Sequence, residues 1–318
     1  MNIIQERRSF LKTLAFGFGT MAISDLKPAF AKKTPARKLN IGHTCITWAT
    51  FPPKSGQDDT TLEPALTDIS AQGFWSFETF PEVLDNWDQR GLLAPLIAKV
   101  GVPLRSAYIT GNLVDPSKRK DEIARITELC KVVQKYKGTY IVLAPNGVER
   151  ETYNFPEHRA DIVSALNDYA AAVTDMGFKT GLHQHTGTCI ESRDEVYAVM
   201  EAVNTNLTFA PDVGQLQKGG ADAAQVVKDF LPLVTHMHLK DYKGWQYYSG
   251  YCPLGMGTVD IPAILDMVEG AGQNPDVMVE LDPSLKDGPL SPLETVKTTK
   301  AYLEKLGYQF RTEPVRKT

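Results

Sequence analysis

A single-domain (β/α)8 TIM barrel is the fold class that the sequence predicts, on three observations. Short β-type runs alternate with longer helical ones from Leu39 to the C-terminus, no Ser/Gly/Pro-rich linker interrupts them, and polar residues gather at the ends of several strand runs. A barrel collects its chemistry at the C-terminal ends of different strands, whereas the competing open doubly wound sheet concentrates it at one nucleotide-binding turn. No GxGxxG follows the first strand run and no GxxxxGK[ST] occurs, so neither a dinucleotide nor a nucleoside triphosphate is expected.

The first stretch of chain reads as an address. Glu6-Arg7-Arg8-Ser9-Phe10-Leu11-Lys12 leads into the mildly apolar run Thr13–Ser24, and Ala29-Phe30-Ala31 precedes Lys32-Lys33. A charged region, an apolar region and a small-residue cleavage site stand in the order a signal peptide requires. The Arg-Arg-x-Phe-Leu-Lys core resembles a bacterial twin-arginine signal, with Glu6 where Ser or Thr is more usual. Residues 1–31 are therefore expected to be an export signal cleaved after Ala31, and residues 32–318 the barrel, located in the periplasm. No later stretch approaches the roughly 18 apolar residues of a membrane span, so no membrane association is expected after cleavage.

Strand runs are predicted near Leu39–Thr47, Phe74–Phe80, Pro103–Ile109, Thr139–Ala144, Lys179–His183, Leu207–Pro211, Val234–Leu239 and Asp276–Glu280. Between them, Asp121–Tyr136 keeps Ile123, Ile126, Leu129, Val133 and Tyr136 on one helical stripe, and His158–Met176 does the same with Ile162, Ala165, Leu166, Tyr169 and Val173. The connection Tyr242–Val259 is long for a barrel loop and reads as a lid.

Composition narrows the function classes. The 318 residues carry 34 Lys+Arg and 38 Asp+Glu. Removing residues 1–31 takes away Arg7, Arg8, Lys12 and Lys27 together with Glu6 and Asp25, leaving 287 residues with 30 basic and 36 acidic side chains, a net charge of -6. An acidic chain opposes a nucleic-acid partner, because phosphate binding draws on a basic surface. Cys45, Cys130, Cys189 and Cys252 lie far apart without CxxC spacing and are expected to be free thiols.

The chemistry sits at the strand ends. His183-Gln184-His185 and His236-Met237-His238 are both His-x-His, which on a strand points two imidazoles to one face. Asp212 and Glu280 add carboxylates at two further ends. Such a mixed N/O set suits one divalent ion of the Mn²⁺, Co²⁺, Fe²⁺, Zn²⁺ kind more than Ca²⁺.

These residues carry a resemblance. Gly181-Leu182-His183-Gln184-His185-Thr186-Gly187-Thr188, the Asp212-Val213-Gly214 turn, His236-Met237-His238-Leu239-Lys240-Asp241, the Gly255-Met256-Gly257-Thr258-Val259-Asp260 loop and Glu280 resemble the xylose isomerase-like sugar phosphate isomerase/epimerase superfamily. Its inosose dehydratase-like branch is the nearest, and the similarity runs from about Leu39 to about Leu306. The resemblance implies one divalent metal, Mn²⁺ ahead of Co²⁺, Fe²⁺, Mg²⁺ or Zn²⁺, with ligands falling on His183, Asp212, His238 and Glu280; His185 is the rival for the first place. Gln215 departs from the family, where many members have histidine, and what that histidine does is left in doubt.

The implied chemistry is enolisation of a keto sugar, keto-glycoside or inosose, ending in isomerisation, epimerisation or elimination. Glu280 is the candidate proton carrier, with His185 or His236 as a further acid/base. Glu78 and Lys240 are expected to bind substrate, and Trp48 and Trp245 to stack on a sugar face, although Trp245 with Tyr247 and Tyr248 equally suits a contact in a homo-oligomer. A hydroxypyruvate isomerase-like or sugar epimerase activity is the nearest alternative, and a non-catalytic sugar-binding barrel is the alternative from another class. The barrel of endonuclease IV is also similar, but its three-metal cluster and basic groove are opposed by the net charge of -6 and by export.

Overall fold

The computed structural model of the protein describes residues 37–272, 274–284 and 288–312. The expected export signal, residues 1–31, lies outside the described residues, as do the two ends of the segment assigned to the barrel.

The barrel strands are β1 Ile41–Thr44, β2 Phe77–Thr79, β3 Leu104–Gly111, β4 Tyr140–Pro145, β5 Lys179–Leu182, β6 Thr208–Phe209, β7 His236–Leu239 and β10 Asp276–Val279; β8 Asp241–Tyr242 and β9 Tyr251–Cys252 make a short antiparallel hairpin. Hydrogen bonding runs in the order β6-β5-β4-β3-β2-β1-β10-β7, all parallel. Parallel bridges Phe209–Val234 and Asp212–His238 bring β6 to β7, so the ring comes round as the (β/α)8 barrel that the alternation predicts.

Helices cover the outside: α1 Leu62–Ala71, α2 Pro81–Gln89, α3 Leu93–Val100, α4 Arg119–Lys135, α5 Phe155–Asp175, α6 Arg193–Met200, α7 Val213–Lys218, α8 Ala223–Asp229, α9 Ile261–Gly270 and α10 Pro292–Lys305. The stripe Ile162, Ala165, Leu166, Tyr169 and Val173 of α5 is buried as its period requires. Ser192 with Glu195, and Ser291 with Glu294, form capping boxes that fix the starts of α6 and α10. Among the described residues, no helix is long and apolar enough to cross a membrane. The four cysteines are free and buried, as expected.

Two predicted features differ. The first strand stops at Thr44, because Cys45–Trp48 form a 3-10 turn closed by Ala49 in the left-handed region at φ 58. That turn directs Trp48 outward, where its indole N–H donates to Asp68 at 2.9 Å. The connection after β7 is likewise pinned and not a free lid: the Asp241 carboxylate accepts from the backbone N–H groups of Gly255 (3.0 Å), Gly257 (2.9 Å) and Val259 (3.1 Å).

Inside the ring, side chains stack in layers. The lowest holds the Tyr140 phenol between the Thr208 and Thr235 hydroxyls, at 2.9 Å from each. Gly181 makes room for it, since a Cβ there would lie 2.3 Å from the phenol oxygen. Above lie Glu78, Ser106 and His236, all buried, and above these the strand-end residues described below.

His43 faces the other way, between the ring and the helices, edge-on to Phe74 at 5.0 Å and Trp48 at 5.3 Å. Burial lowers its pKa to about 4 from an ordinary 6.5. The unfolded chain therefore takes up this proton first, so the contribution of neutral His43 is complete above about pH 6.5 and is lost as pH falls toward 4. We expect unfolding free energies measured in urea to decline across that window, by on the order of 3 kcal/mol for this residue. In His43→Leu the decline should shrink by that amount; an equal slope in both proteins would refute the assignment.

Candidate active site

Period-two alternation delivers the site. His236, His238 and Lys240 occupy successive inward positions on and just beyond β7, as Gly181, His183 and His185 do on and beyond β5. His183, Asp212 and His238 each offer a ligand atom, and these atoms lie within 4.8 Å of one another. Glu280 joins them, with Oε2 3.1 Å from His238 Nδ1.

Asp212 reaches this position through a turn. Its side chain caps α7 by accepting from Gln215 N at 2.9 Å, which occupies Oδ1 and leaves Oδ2 buried without a partner. Gly214 allows α7 to settle against the end of β7, because a Cβ there would meet Lys240 Cβ and Cγ at 2.8 Å.

Below the cluster, Glu78 acts as a clamp. Its Oε1 accepts from His238 Nε2 at 2.7 Å, and its Oε2 lies 3.0 Å from His236 Nε2 and accepts from the Ser106 hydroxyl at 2.5 Å. Burial opposes ionisation of Glu78, but His238 and His236 outweigh it and hold the carboxyl far below its usual range. Glu78 borders the cavity, yet both its oxygens serve these histidines; its expected role in holding substrate gives way to positioning His238, with Nδ1 turned toward Glu280. His236 does not line the cavity and supports Glu78 from beneath, so it is not placed as an acid/base.

Hydrogen bonding distinguishes His183 from His185. His185 Nδ1 donates to Thr186 O at 2.7 Å, and Gln215 Nε2 donates to His185 Nε2 at 2.8 Å. The Gln215 amide is itself fixed, because its Oε1 accepts from the Thr186 backbone, the Thr186 hydroxyl and the Tyr251 phenol. His183, in contrast, has both ring nitrogens buried without partners, and burial with His238 alongside keeps it neutral. A neutral imidazole with an uncommitted ring nitrogen is what a metal ligand requires. Gln215 thus orients His185.

Lys240 is 0% exposed, so it is neither a solvated strand-end lysine nor free to hold a substrate oxygen. Its ammonium donates to Glu280 Oε1 at 2.8 Å and to Asp282, and lies 3.6 Å from Asp212 Oδ2 and 4.3 Å from the centre of the Tyr251 ring. Burial works against this charge, but Asp282, Glu280 and Asp212 outweigh it. Glu280 is held ionised in turn, against burial, by Lys240 and His238. Asp212 is less well compensated: burial pushes its carboxyl up to about 6 despite Lys240. Asp212, Glu280 and Asp282 therefore outnumber the ammonium among them. With the unpartnered His183 nitrogens and the convergence of His183, Asp212 and His238, this surplus fits a divalent cation.

A cavity of about 220 Å³ opens onto the cluster, with His185, Glu78 and Glu280 on its wall. Trp48 and Trp245 do not line it: Trp48 packs among the helices, and Trp245 clusters with Tyr247 and Tyr248 at 5.2 and 5.9 Å. The aromatic wall is instead Phe51, Phe80 and Tyr108. Period two marks Tyr108, which follows Ser106 at an inward position of β3, and Phe80 stands directly after β2. Phe51 had no such signal.

A family model for the xylose isomerase-like TIM barrel matches residues 66–306. The inosose dehydratase of Clostridium perfringens is 32% identical over 83 residues, a segment that covers 26% of this chain and 28% of that protein. Among solved structures, the 3-keto-D-glucoside 4-epimerase from E. coli superposes with a TM-score of 0.63 at 16% identity, covering 85% of this chain and 99% of that one. An IOLI protein with a bound zinc atom superposes at 0.66 and 15% identity, covering 86% and 100%. At these identities the two superpositions establish the fold.

Removing the ammonium should expose the charge imbalance. In Lys240→Met, urea unfolding is expected to give a free energy about 3–5 kcal/mol lower than in the unaltered protein. Added Mn²⁺ should recover part of that loss, since an ion that binds only the folded state stabilises it. A variant of equal or greater stability without metal would show that Lys240 is not the compensating charge.

Proposed function

The chain belongs to the xylose isomerase-like TIM barrel family, and from that premise we propose that it is a divalent-metal-dependent lyase or isomerase that enolises a keto sugar, keto-glycoside or inosose. The observation that carries this reading is the buried convergence of ligand atoms on His183, Asp212 and His238, with both His183 nitrogens lacking a hydrogen-bond partner, next to a cavity that Glu280 lines. The dehydratase and epimerase among the similar proteins supply the substrate class, and a zinc-bound neighbour is consistent with a metal. Periplasmic export is part of the proposal and rests on the Arg7-Arg8 segment.

His183, Asp212, His238 and Glu280 would hold the ion. When bound there, a divalent cation supplies polarisation of the substrate carbonyl and its neighbouring hydroxyl. The residues of the chain do the rest. Glu280 Oε1 is tied to Lys240, and Oε2, which faces His238 Nδ1 at 3.1 Å, is the oxygen that would take the proton α to the carbonyl. The pairing with Lys240 and His238 keeps Glu280 in the ionised form that a base requires. His185, with Nδ1 committed to Thr186 and Nε2 to Gln215, has no free ring nitrogen for the acid/base role expected of it and stands as a fixed ring on the cavity wall. Returning the proton to another carbon or face gives isomerisation or epimerisation. Loss of a β-substituent from the same enediolate gives elimination.

Elemental analysis of the purified protein and deuterium uptake from D₂O into candidate keto sugars test the proposal together. One bound or activating divalent ion and exchange at the carbon next to the carbonyl are expected, with exchange falling about 10²–10⁴-fold in Glu280→Gln. The proposal fails if no divalent ion binds or activates, and exchange survives replacement of His183, Asp212, His238 and Glu280. Product analysis then separates elimination from isomerisation.

A further inference from the structure

The cavity has two unlike walls. One is polar, with Glu78, Glu280, His185 and the Thr44 hydroxyl, which is buried without a hydrogen-bond partner. The other is an unbroken aromatic ladder that climbs from the ligand cluster to solvent. The Tyr108 ring meets His183 at 5.2 Å, Phe80 meets Tyr108 at 5.4 Å, and Phe51 meets Phe80 at 6.1 Å with their planes 39° apart. Phe51 is 41% exposed, one of three large hydrophobic side chains so exposed among the described residues.

A phenylalanine exposed singly needs no explanation, but Phe51 continues the aromatic wall of a cavity, where a ligand would cover it. The cavity volume suggests what covers it. At about 220 Å³ it falls short of the roughly 300–1,000 Å³ of pockets that enclose drug-sized ligands, so it houses a single sugar ring. A ring whose carbonyl reaches the ligand cluster lies along Tyr108 and Phe80, and Phe51 is the outermost aromatic residue of the same wall. A substituent on that ring would lie across Phe51.

We propose that Phe51 forms a second subsite, which takes the aglycone or second sugar of a keto-glycoside, and that the substrate is a glycoside in preference to a free keto sugar. The inference rests on the enolisation reading above and narrows its substrate class. Stacking on Phe51 contributes binding remote from the reacting carbon, and such binding is used to orient the ring below.

The test compares phenyl and methyl 3-keto-β-glucosides as probes with the metal-loaded full chain. The unaltered protein should favour the phenyl glycoside, and in Phe51→Ala the phenyl-to-methyl ratio of kcat/KM should fall by about threefold to tenfold, the worth of one aromatic contact. Phe51→Trp should preserve the ratio. A ratio unchanged in Phe51→Ala overturns the subsite while leaving enolisation intact. Turnover of neither probe counts against the enolisation reading, and the subsite is then decided by saturation-transfer NMR with phenyl β-glucoside. Saturation strongest at the phenyl protons and lost in Phe51→Ala supports it; equal saturation in both proteins overturns it.

Discussion

A lysine ammonium removed from water is stable only where carboxylates surround it, and the upper layer of this barrel is organised around that requirement. Lys240 brings Glu280 and Asp282 of one strand end toward Asp212 of another, with the Tyr251 ring beneath the charge. Gly214 follows from the same need, because any larger residue would press on the lysine stem. Tyr251, held by the hairpin β8–β9, also donates to Gln215, which fixes His185. A change at Lys240 therefore reaches the ligand carboxylates, the turn after β6 and the hairpin at once.

The lysine does not neutralise the layer. Its charge is shared among several carboxylates, and Glu78 is compensated separately by the two histidines beneath and beside it. The His238 ring connects the two systems, with Nε2 on Glu78 and Nδ1 toward Glu280. A carboxylate on the far nitrogen of a ligand histidine sets its tautomer and orientation and raises its basicity. The surplus of negative charge and the oriented histidine both suit the divalent cation proposed above.

Much of this was legible in the sequence, for reasons of periodicity. Alternating runs give the barrel, and two His-x-His pairs with Asp212 and Glu280 give the strand-end ring, because side-chain direction in a strand follows from counting by two. Loops carry no such rule. Trp48 stands only four residues beyond Thr44, yet the left-handed Ala49 and its 3-10 turn send it to the helix layer, while Phe51, a little further on, returns to the mouth. Lys240 and Glu78 obey period two and do face inward. Their partners come from other strands, and pairings across a barrel depend on register, which one strand's sequence does not encode.

Asp212 shows how little freedom the arrangement leaves. One carboxylate oxygen ends the exposed N–H row at the start of α7, and the other faces His183, His238 and Lys240. The cap fixes the side-chain rotamer, so the free oxygen is aimed by the backbone of a helix and not by a flexible loop. The bridge between Asp212 and His238 closes the barrel at the same residue. Ring closure, helix start and ligand direction thus depend on one side chain, and the geometry of the site is as rigid as the fold that carries it.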